Sequence, residues 1–360
     1  MRVALAIHRV RPTGGQDRYA LELARRLAAH CELDLIAISV EGALPSSVRV
    51  HTLGIPDLPL LLAAPLFRRR AAAALSGRRY DVVHGVGGAL PGSTVVTAQF
   101  CAAEWRRLNP RAGPYQRLVS AQAVRDERAT YGHRRLKAVI AVSRRTAEEL
   151  QRHYGPLPVP VTVVPNAVDQ ELFSPQERGG APRGRARLLF VGAYERKGLD
   201  TAIRALGLMR CDAELTAIGD GDRARHLRLA SEVGVADRVR LEPPRDRIEE
   251  AFALADAFVF PTRYEPYGMV IAEALASGVP VVTTALAGAA ELIRPGESGF
   301  VLDDPDDAAG VAAALDRLVG DPATRARMAQ AARVAVRDLT WDMVAGRTLE
   351  VYRMAAGGVT

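Results

Sequence analysis

Cysteine, lysine and long apolar runs are all scarce in this 360-residue chain. The three cysteines are odd in number and widely spaced, so neither a disulfide framework nor a zinc site is indicated. No apolar run approaches the roughly 18–20 residues that a membrane-spanning helix needs. The apolar run near the start, residues 3–7, is too short for a signal peptide. These absences predict a soluble, cytoplasmic protein.

Nearly every basic residue is arginine, because lysine occurs only at Lys137 and Lys197. A lysine kept in such a chain indicates a place that needs a compact ammonium rather than a planar guanidinium. The net charge is +7, and residues 104–152 hold twelve Lys or Arg against five Asp or Glu. This segment suits an acidic substrate or an anionic membrane surface, and it equally fits a solvated face. No aromatic-rich basic motif typical of nucleic-acid binding accompanies it, so no nucleic-acid partner is expected.

Short apolar runs alternate with helical patterns along the chain, which predicts βαβ units and parallel sheets. A chain of 360 residues is long enough for two domains of ordinary size. We predict an α/β protein with two Rossmann-like, doubly wound domains that face a central cleft. The segment 174–187, rich in Gly, Pro and Arg, predicts a linker between a domain at 1–173 and a domain at 188–338.

The segment Glu265-Pro-Tyr-Gly-Met-Val-Ile-Ala-Glu273 follows a predicted strand at residues 257–260. If Gly268 opens a helix, the first N–H groups of that helix suit a phosphate, and Glu273 lies in its second turn. Each carboxylate can accept hydrogen bonds from neighbouring hydroxyls, so the segment fits a ligand with a diphosphate between two sugar rings. An ordinary strand–loop–helix unit with two solvated glutamates fits the same spacing.

Turns that contain glycine follow the first predicted strand of each half. Gly14 and Gly15 would let the backbone approach a phosphate, but they form no G-x-G-x-x-G motif, which disfavours a dinucleotide. Arg196 and Lys197 occupy the equivalent turn of the second half. They could bind phosphate oxygens or simply form a solvated turn.

Acidic clusters and histidines complete the set of candidates. Asp220-Gly-Asp222 and the acids at 303–307 fit turns and helix caps better than a metal site, so no metal is expected. His8 and His84 end predicted strands and could face the cleft. A lone histidine at such a position is more often structural.

Together these segments resemble the retaining GT-B nucleotide-sugar glycosyltransferases of family 4 over nearly the whole chain. The pair Glu265 and Glu273, combined with the Arg196-Lys-Gly turn, carries the resemblance most specifically. Within the family, residues 98–104 and 191–198 look most like the lipopolysaccharide core glucosyltransferase branch. The resemblance also implies that residues 339–360 form a helix that crosses back to the first domain.

The resemblance implies roles for residues at matching positions. Glu273 would bind the nucleotide ribose, and Glu265 would bind hydroxyls of the donor sugar. The loop that ends at Arg245 would border the base. The diphosphate would be held by Gly15, Arg196, Lys197, Gly268, Met269 and Val270, and the remaining predicted substrate-binding residues are Gly14, Asn166 and Tyr267.

Gln99 departs from the family pattern and is nevertheless predicted as a catalytic residue with Arg196, Lys197 and Glu265. Many relatives carry a histidine after the strand that matches residues 95–98, and the core glucosyltransferase branch carries an acid. A glutamine can hydrogen-bond a hydroxyl but cannot act as a base near neutral pH. Retaining members are thought to let the departing diphosphate deprotonate the acceptor, so activity does not require a base at this position.

The resulting prediction is a retaining transfer of a hexose-type sugar from a nucleoside diphosphate sugar, without metal or cofactor. A UDP-sugar is favoured over a GDP-sugar. The acceptor would be a glycan, a lipid-linked molecule or a small molecule. The basic first domain suggests a lipid-linked or anionic acceptor and would touch the inner face of the membrane. The alternatives are a nucleotide-sugar epimerase on the same scaffold and a non-catalytic nucleotide-sugar-binding protein.

Overall fold

Short apolar strands joined by helices build two parallel sheets, one in each of two units of the chain. The structure is a computed structural model that describes residues 1–87, 90–110, 112–175 and 184–357. The first unit comprises Met1–Asn166 and Trp341–Thr360, and the second comprises Ala167–Thr340.

The first unit ends earlier than the predicted limit at residue 173. Phe173 belongs to the second unit, where its ring centroid lies 5.9 Å from that of Phe252. This aromatic pair packs the segment after Asn166 against the second unit. The second unit therefore begins before the linker that was predicted to start at residue 174. Of that linker, residues 176–183 lie outside the described part of the chain.

Up to Asn166, the first unit alternates strands and helices. In chain order these are β1 (Arg2–Ala6), β2 (Arg9–Val10), α1 (Gly15–Leu27), β3 (Glu32–Ala37), β4 (Ser39–Val40), β5 (Arg49–Thr52), α2 (Leu60–Leu75), β6 (Val82–Val86), β7 (Val95–Ala98), α3 (Ala102–Leu108), α4 (Pro114–Tyr131), β8 (Ala138–Ala141), α5 (Arg144–Tyr154) and β9 (Val161–Val163). Seven strands form a sheet in the order β5-β3-β1-β6-β7-β8-β9, and β2 pairs with β4. The strand order reverses between β1 and β6, as in doubly wound sheets.

The second unit repeats this architecture. Its elements are β10 (Ala186–Val191), α6 (Tyr194–Lys197), α7 (Leu199–Leu208), β11 (Ala213–Ile218), α8 (Arg223–Glu232), β12 (Val239–Glu242), α9 (Glu249–Leu254), β13 (Ala257–Phe260), α10 (Met269–Ala276), β14 (Val281–Thr284), β15 (Gly299–Leu302), α11 (Ala308–Val319) and α12 (Pro322–Val336). The parallel sheet has the order β12-β11-β10-β13-β14-β15. Throughout the described ranges, no helix is both long and apolar enough to cross a membrane.

Central strands are continuous apolar runs because helices cover both faces of a parallel sheet. All residues of β13 and of β14 are buried. On one face of the second sheet, α7 packs beside α11 over a cluster that includes Phe190, Leu215 and Val259. The predicted doubly wound α/β fold is confirmed in each unit.

The last helix, α13 (Trp341–Ala355), returns to the first unit and packs against α1. The resemblance implied such a return for residues 339–360, of which residues 358–360 lie outside the described part of the chain. The helix contributes buried side chains such as Val344, Val351 and Tyr352 to the first unit. The first unit is therefore built from two separate stretches of chain.

A buried histidine connects this helix to the sheet. Nδ1 of His84, on β6, lies 2.6 Å from the hydroxyl of Tyr352, and Nε2 lies 2.7 Å from the hydroxyl of Thr97 on β7. The hydroxyl of Tyr19 on α1 lies 3.2 Å from the same Thr97 oxygen. Burial lowers the pKa of His84 to about 3, so its imidazole is neutral near pH 7. His84 thus has the structural role that is more common for such a residue.

Replacing Tyr352 with phenylalanine is expected to lower the free energy of unfolding by about 1–3 kcal/mol, because a buried imidazole nitrogen loses its partner. Urea denaturation measures this difference. The matched control is Tyr115→Phe, since Tyr115 is half exposed on α4 and should change stability little. Equal stability of the two variants would contradict a contribution from the buried contact.

Candidate active site

The strand order of the second sheet reverses between β10 and β13, so the loops after these strands flank one point at the carboxyl edge of the sheet. Open parallel sheets bind ligands at such a point. The loop after β10 contains the single turn α6, which ends with Arg196 and Lys197. The loop after β13 contains Glu265 and leads into α10. The topology therefore brings the predicted cations and the predicted acid to one place.

Gly198, which follows the two cations, is held against the loop after β13. Its φ of 79° and ψ of 37° lie in the left-handed region that glycine adopts without strain. A Cβ here would also overlap the carbonyl oxygen of Pro261. In addition, the N–H of Arg263 donates to the carbonyl of Arg196 at 3.0 Å. The turn that carries the cations is therefore fixed by backbone contacts with the neighbouring loop.

Lys197 is the more deeply buried of the two cations, with 9% of its side chain exposed. Its aliphatic stem lies over Gly192, where an added Cβ would come within 3.2 Å of the lysine Cγ. Its ammonium lies 4.8 Å from the ring centroid of Phe260 and forms an ion pair with Glu265. Burial lowers the pKa of Lys197 well below its ordinary value, and Arg196 lowers it further. A bound anion would favour the charged lysine again.

Arg196 and Glu265 complete this arrangement. The Arg196 guanidinium donates to the carbonyl of Tyr264 at 3.0 Å and lies 3.4 Å from Oε2 of Glu265, the oxygen that also pairs with Lys197. The backbone N–H of Glu265 donates to the carbonyl of Leu286 at 3.1 Å. One carboxylate oxygen therefore lies close to two cations, and the main chain fixes its place.

The helix α10 begins immediately after this acid, as the sequence predicted. Gly268 precedes it with a φ of 96° and a ψ of 65°, and this N-cap glycine provides no side-chain cap. Met269 and Val270 are its first two residues, and Glu273, which is 3% exposed, lies in the second turn. The N-terminal end of a helix carries a positive partial charge that favours an anion.

Tyr267 lies between Glu265 and this helix and is almost fully buried. Its hydroxyl has no hydrogen-bond partner among the described residues. Burial raises the pKa of this hydroxyl, and Glu291 raises it further, so Tyr267 is a neutral donor. The main-chain carbonyl of Tyr267 accepts from the N–H of Ala289 at 2.6 Å, which holds the residue in place.

The acidic clusters have the capping roles that the sequence predicted. Asp222 caps α8 through the N–H of Arg225 at 2.9 Å. Asp307 caps α11 through the N–H of Gly310 at 2.8 Å. Asp306 instead forms an ion pair with Arg263 at 2.5 Å. These carboxylates therefore stabilise helix ends and a loop.

Arg245 contacts the acid that ends the strand before its loop. Its guanidinium lies 3.5 Å from the carboxylate of Glu242, the last residue of β12, and both side chains are 38% exposed. This is a surface ion pair of small energetic value. The role of Arg245 beside a nucleotide base stays a prediction.

The remaining predicted site residues belong to the first unit. Gly14 precedes α1 with a φ of 82° and a ψ of 143°, no side chain caps this helix, and Gly15 is its first residue. The amides of Gln99 and Asn166 bind each other at 3.3 and 3.2 Å. This reciprocal pair uses one N–H and one oxygen lone pair of each amide. Each amide therefore retains one N–H and one lone pair for other partners.

His8, the other candidate histidine, packs against an aromatic ring. Its ring centroid lies 4.3 Å from that of Phe67, and its buried Nε2 has no hydrogen-bond partner among the described residues. Burial and the nearby Arg68 and Arg9 lower the pKa of His8 to about 4. The imidazole is therefore neutral near pH 7.

Sequence reasoning missed three buried acids within the basic segment 104–152, which are Glu104, Glu127 and Glu149. Glu104 is buried, pairs with Arg107 at 2.8 Å and His153 at 2.7 Å, and has its pKa lowered to about 2 by these contacts. Glu127 is buried too, and burial raises its pKa to about 7. No pattern of sequence distinguishes these acids from solvated ones. Part of the positive charge of the segment is therefore compensated inside the unit.

Comparison with known proteins agrees with this architecture. Residues 13–172 match the family described as Glycosyltransferase Family 4, and residues 185–321 match the family described as Glycosyl transferases group 1. The D-inositol 3-phosphate glycosyltransferase of Thermomonospora curvata is 35% identical, across 94% of this chain and 90% of the relative.

Solved structures share the fold over nearly the whole length of the chain. WaaG, a glycosyltransferase involved in lipopolysaccharide biosynthesis, superposes with a TM-score of 0.82 at 23% identity, over 99% of this chain and 100% of that one. Anabaena Alr3699/HepE in complex with UDP-glucose superposes with a TM-score of 0.72 at 18% identity, over 97% of this chain and 98% of that one. The chain is therefore a glycosyltransferase and a member of family 4, with the GT-B fold.

Proposed function

We propose that the chain transfers a hexose-type sugar from a UDP-sugar to an anionic polyol, with retention of configuration at the anomeric carbon. The choice of UDP is supported by the Anabaena structure, which is described with UDP-glucose. The choice of acceptor is supported by relatives that are named for D-inositol 3-phosphate. GDP-sugars remain the second choice of donor.

The observation that carries this proposal is the convergence of Arg196, Lys197 and Glu265 beside the N-terminal end of α10. Two cations and a helix N-terminus together form a site for a diphosphate. Glu265 would bind hydroxyls of the donor sugar, and Glu273 would bind the ribose. Glu265 precedes the start of α10 and Glu273 lies in its second turn, so the two acids lie on either side of the proposed diphosphate position. A donor with a sugar on each side of its diphosphate fits this arrangement.

The main chemical task of the site is to stabilise charge on the leaving group. As the bond from the anomeric carbon to the diphosphate breaks, negative charge grows on the phosphate oxygens that face Arg196 and Lys197. Donors positioned before the reaction need no rearrangement during it, which makes such stabilisation effective. The departing diphosphate would accept the proton of the acceptor hydroxyl on the same face of the sugar, so the configuration is retained.

Gln99 and Asn166 would act on the acceptor side of the reaction. Their paired amides each keep one N–H and one lone pair, which suits the orientation of a hydroxyl. Neither amide can remove a proton near neutral pH. Their proposed role is therefore positioning, and the diphosphate supplies the base.

Basic side chains of the first unit support an anionic acceptor. A cavity of about 400 Å³ at the junction of α3 and α4 is lined by Arg106, Asn109 and Arg117, among others. Both arginines are exposed. A phosphate on the acceptor would find charge complementarity on this surface.

A lipid-linked acceptor at the inner face of the membrane is the second candidate. The N-terminal parts of α2 and α4 expose large apolar side chains: Leu60, Leu62, Tyr115 and Leu118 are each at least half exposed. Arg117 lies beside the last two. Apolar side chains among arginines are typical of surfaces that contact anionic lipids.

We also propose that the transfer needs no metal ion. Arg196 and Lys197 supply the positive charge that a divalent cation supplies in other glycosyltransferase architectures. Among the acids at 220–222 and 303–307, Asp222 and Asp307 cap helices, and Asp306 forms an ion pair with Arg263. Chelation of divalent cations is therefore expected to leave the rate unchanged.

The test is a panel of UDP-glucose, UDP-galactose, UDP-N-acetylglucosamine and GDP-mannose. Each donor is incubated with D-inositol 3-phosphate, with crude lipid extract, or without acceptor, and free nucleotide is measured. We expect UDP release that depends on inositol phosphate, persists in EDTA and gives a product with the donor's anomeric configuration. Release only with lipid extract would favour the lipid-linked acceptor.

The same panel distinguishes the alternative functions. An epimerase would convert the donor sugar to its epimer without any acceptor. A non-catalytic binding protein would bind UDP but release no nucleotide from any mixture. Either outcome would reject the transfer proposed above.

A further inference from the structure

A buried carboxylate holds the start of α3. Glu127, on α4, is 4% exposed, and both of its oxygens lie 3.0 Å from the N–H of Ala102, the first residue of α3. Cys101, which precedes the helix, contributes no side-chain cap. An acid from the neighbouring helix therefore does the work of an N-cap, which satisfies a helix N–H that has no partner within α3.

A third helix meets the same carboxylate. The hydroxyl of Tyr154, the last residue of α5, donates to Oε2 of Glu127. The ring of Tyr154 lies 5.3 Å from that of Tyr131 on α4. The start of α3 is thus tied to α4 and α5 at one buried point.

This point lies three residues beyond Gln99. Ala98 is fixed on the other side, because it ends β7 and pairs with Ala141 on β8. Residues 99–101 therefore bridge two anchored positions, the end of β7 and the Ala102 amide. The orientation of the Gln99 side chain, and of its pair with Asn166, depends on both anchors.

We propose that Glu127 is a positioning residue for sugar transfer: by holding the Ala102 amide it fixes the turn that carries Gln99. The inference rests on the function proposed above, in which Gln99 orients the acceptor. Glu127 touches no substrate in this role and acts through the backbone of the turn. Loss of its contact should therefore weaken acceptor binding more than donor binding.

The anchor is sensitive to pH near neutrality. Burial raises the pKa of Glu127 to about 7, while the Tyr154 and Ala102 hydrogen bonds oppose that rise. Asp126 and Glu149 raise it further. The adjacent Cys101 thiol has its own pKa raised to about 12 by burial, so it stays neutral.

Protonation removes one of the two oxygens that accept hydrogen bonds. The Ala102 amide then has one accepting oxygen instead of two, and the carboxylate's negative charge is lost, so the hold on the turn weakens as the pH falls below about 7. Glu104, which lies on α3 with Ala102, has its pKa lowered to about 2 and remains charged over this pH range.

Trp105 on α3 offers a direct readout, because Trp341 is the only other tryptophan. In a Trp341→Phe background, Trp105 fluorescence should change with pH with a midpoint near 7. Glu127→Gln should abolish the transition. Tyr154→Phe should move the midpoint to higher pH, because it removes a hydrogen bond that stabilises the charged acid.

His153→Gln is the control for the fluorescence titration, because the His153 imidazole contacts Glu104, which lies next to Trp105 on α3. The transition should survive that change. A transition that persists in Glu127→Gln, or its absence in the background protein, would overturn the inference.

The second experiment is kinetic, with UDP-glucose and D-inositol 3-phosphate at pH 8. Glu127→Gln should raise KM for the acceptor about tenfold, the size expected from a lost buried hydrogen bond, and leave KM for UDP-glucose unchanged. Glu148→Gln, a change of an exposed acid on α5, is the matched control and should alter neither.

The outcomes separate this inference from the proposed function. A wild-type enzyme that transfers sugar, together with an unaltered acceptor KM in Glu127→Gln, would overturn the inference alone. A wild-type protein that transfers nothing would reject the proposed function, and the fluorescence titration would then decide whether Glu127 controls the turn.

Discussion

Replacing Lys197 with alanine is expected to lower kcat about 100-fold or more. A preorganised group that faces charge developing on a leaving group contributes roughly 3–4 kcal/mol, and each 1.4 kcal/mol corresponds to about tenfold in rate. Lys197 fits this role because its ammonium is buried beside Arg196 and Glu265. Water has little access to this position, so it could not replace the positive charge that the variant loses. Steady-state release of UDP from the donor identified in the panel measures the effect.

The chain offers a matched control, because Lys137 is the only other lysine and is exposed. Lys137→Ala should leave kcat unchanged. Lys197→Arg is not expected to keep full activity, since a planar guanidinium would have to replace the compact ammonium that is buried beside Phe260 and Glu265. A Lys197→Ala enzyme with near-normal kcat would remove this residue from the mechanism.

Replacing Gly198 with alanine is expected to lower the free energy of unfolding by about 3 kcal/mol or more. Roughly 1–2 kcal/mol comes from placing an alanine in the left-handed region, and the rest from the overlap of its Cβ with the Pro261 carbonyl. The loop must also shift, which moves Arg196 and Lys197 together. Urea denaturation measures the stability, and the UDP-release assay should show a large loss of activity.

Gly234 separates these two contributions. It has a φ of +74°, and an added Cβ would have no atom within 4 Å. Gly234→Ala should therefore lose only the conformational part, about 1–2 kcal/mol, and keep its activity. Equal losses in the two variants would show that the contact with Pro261 contributes nothing.

Strong periodic patterns made most elements predictable from the sequence. The strand expected at residues 257–260 is β13, and the helix expected to begin at Gly268 begins at Met269. Two elements of the second unit have no such pattern. The turn α6 is four residues long, which is too short for a helical period, and the edge strand β15 begins with a glycine and is four residues long.

The sequence predicted the part of the site that follows from the strand order alone. Residues that follow two strands on either side of a switch point must meet, so Lys197 and Glu265 could be placed together. The direct ion pair between them, and the contact of Gly198 with Pro261, depend on exact loop paths that no pattern encodes. Glu127 was missed for a related reason, because its burial results from the packing of three helices.

The place of α13 in the first unit has a consequence during protein synthesis. A ribosome completes residues 167–340 before it makes Trp341–Ala355, so the contiguous second unit can fold first as it emerges. Until then the nascent first unit lacks Tyr352, and His84 stays without one of its partners. We therefore expect the unfinished N-terminal sheet to be the segment that chaperones protect during translation.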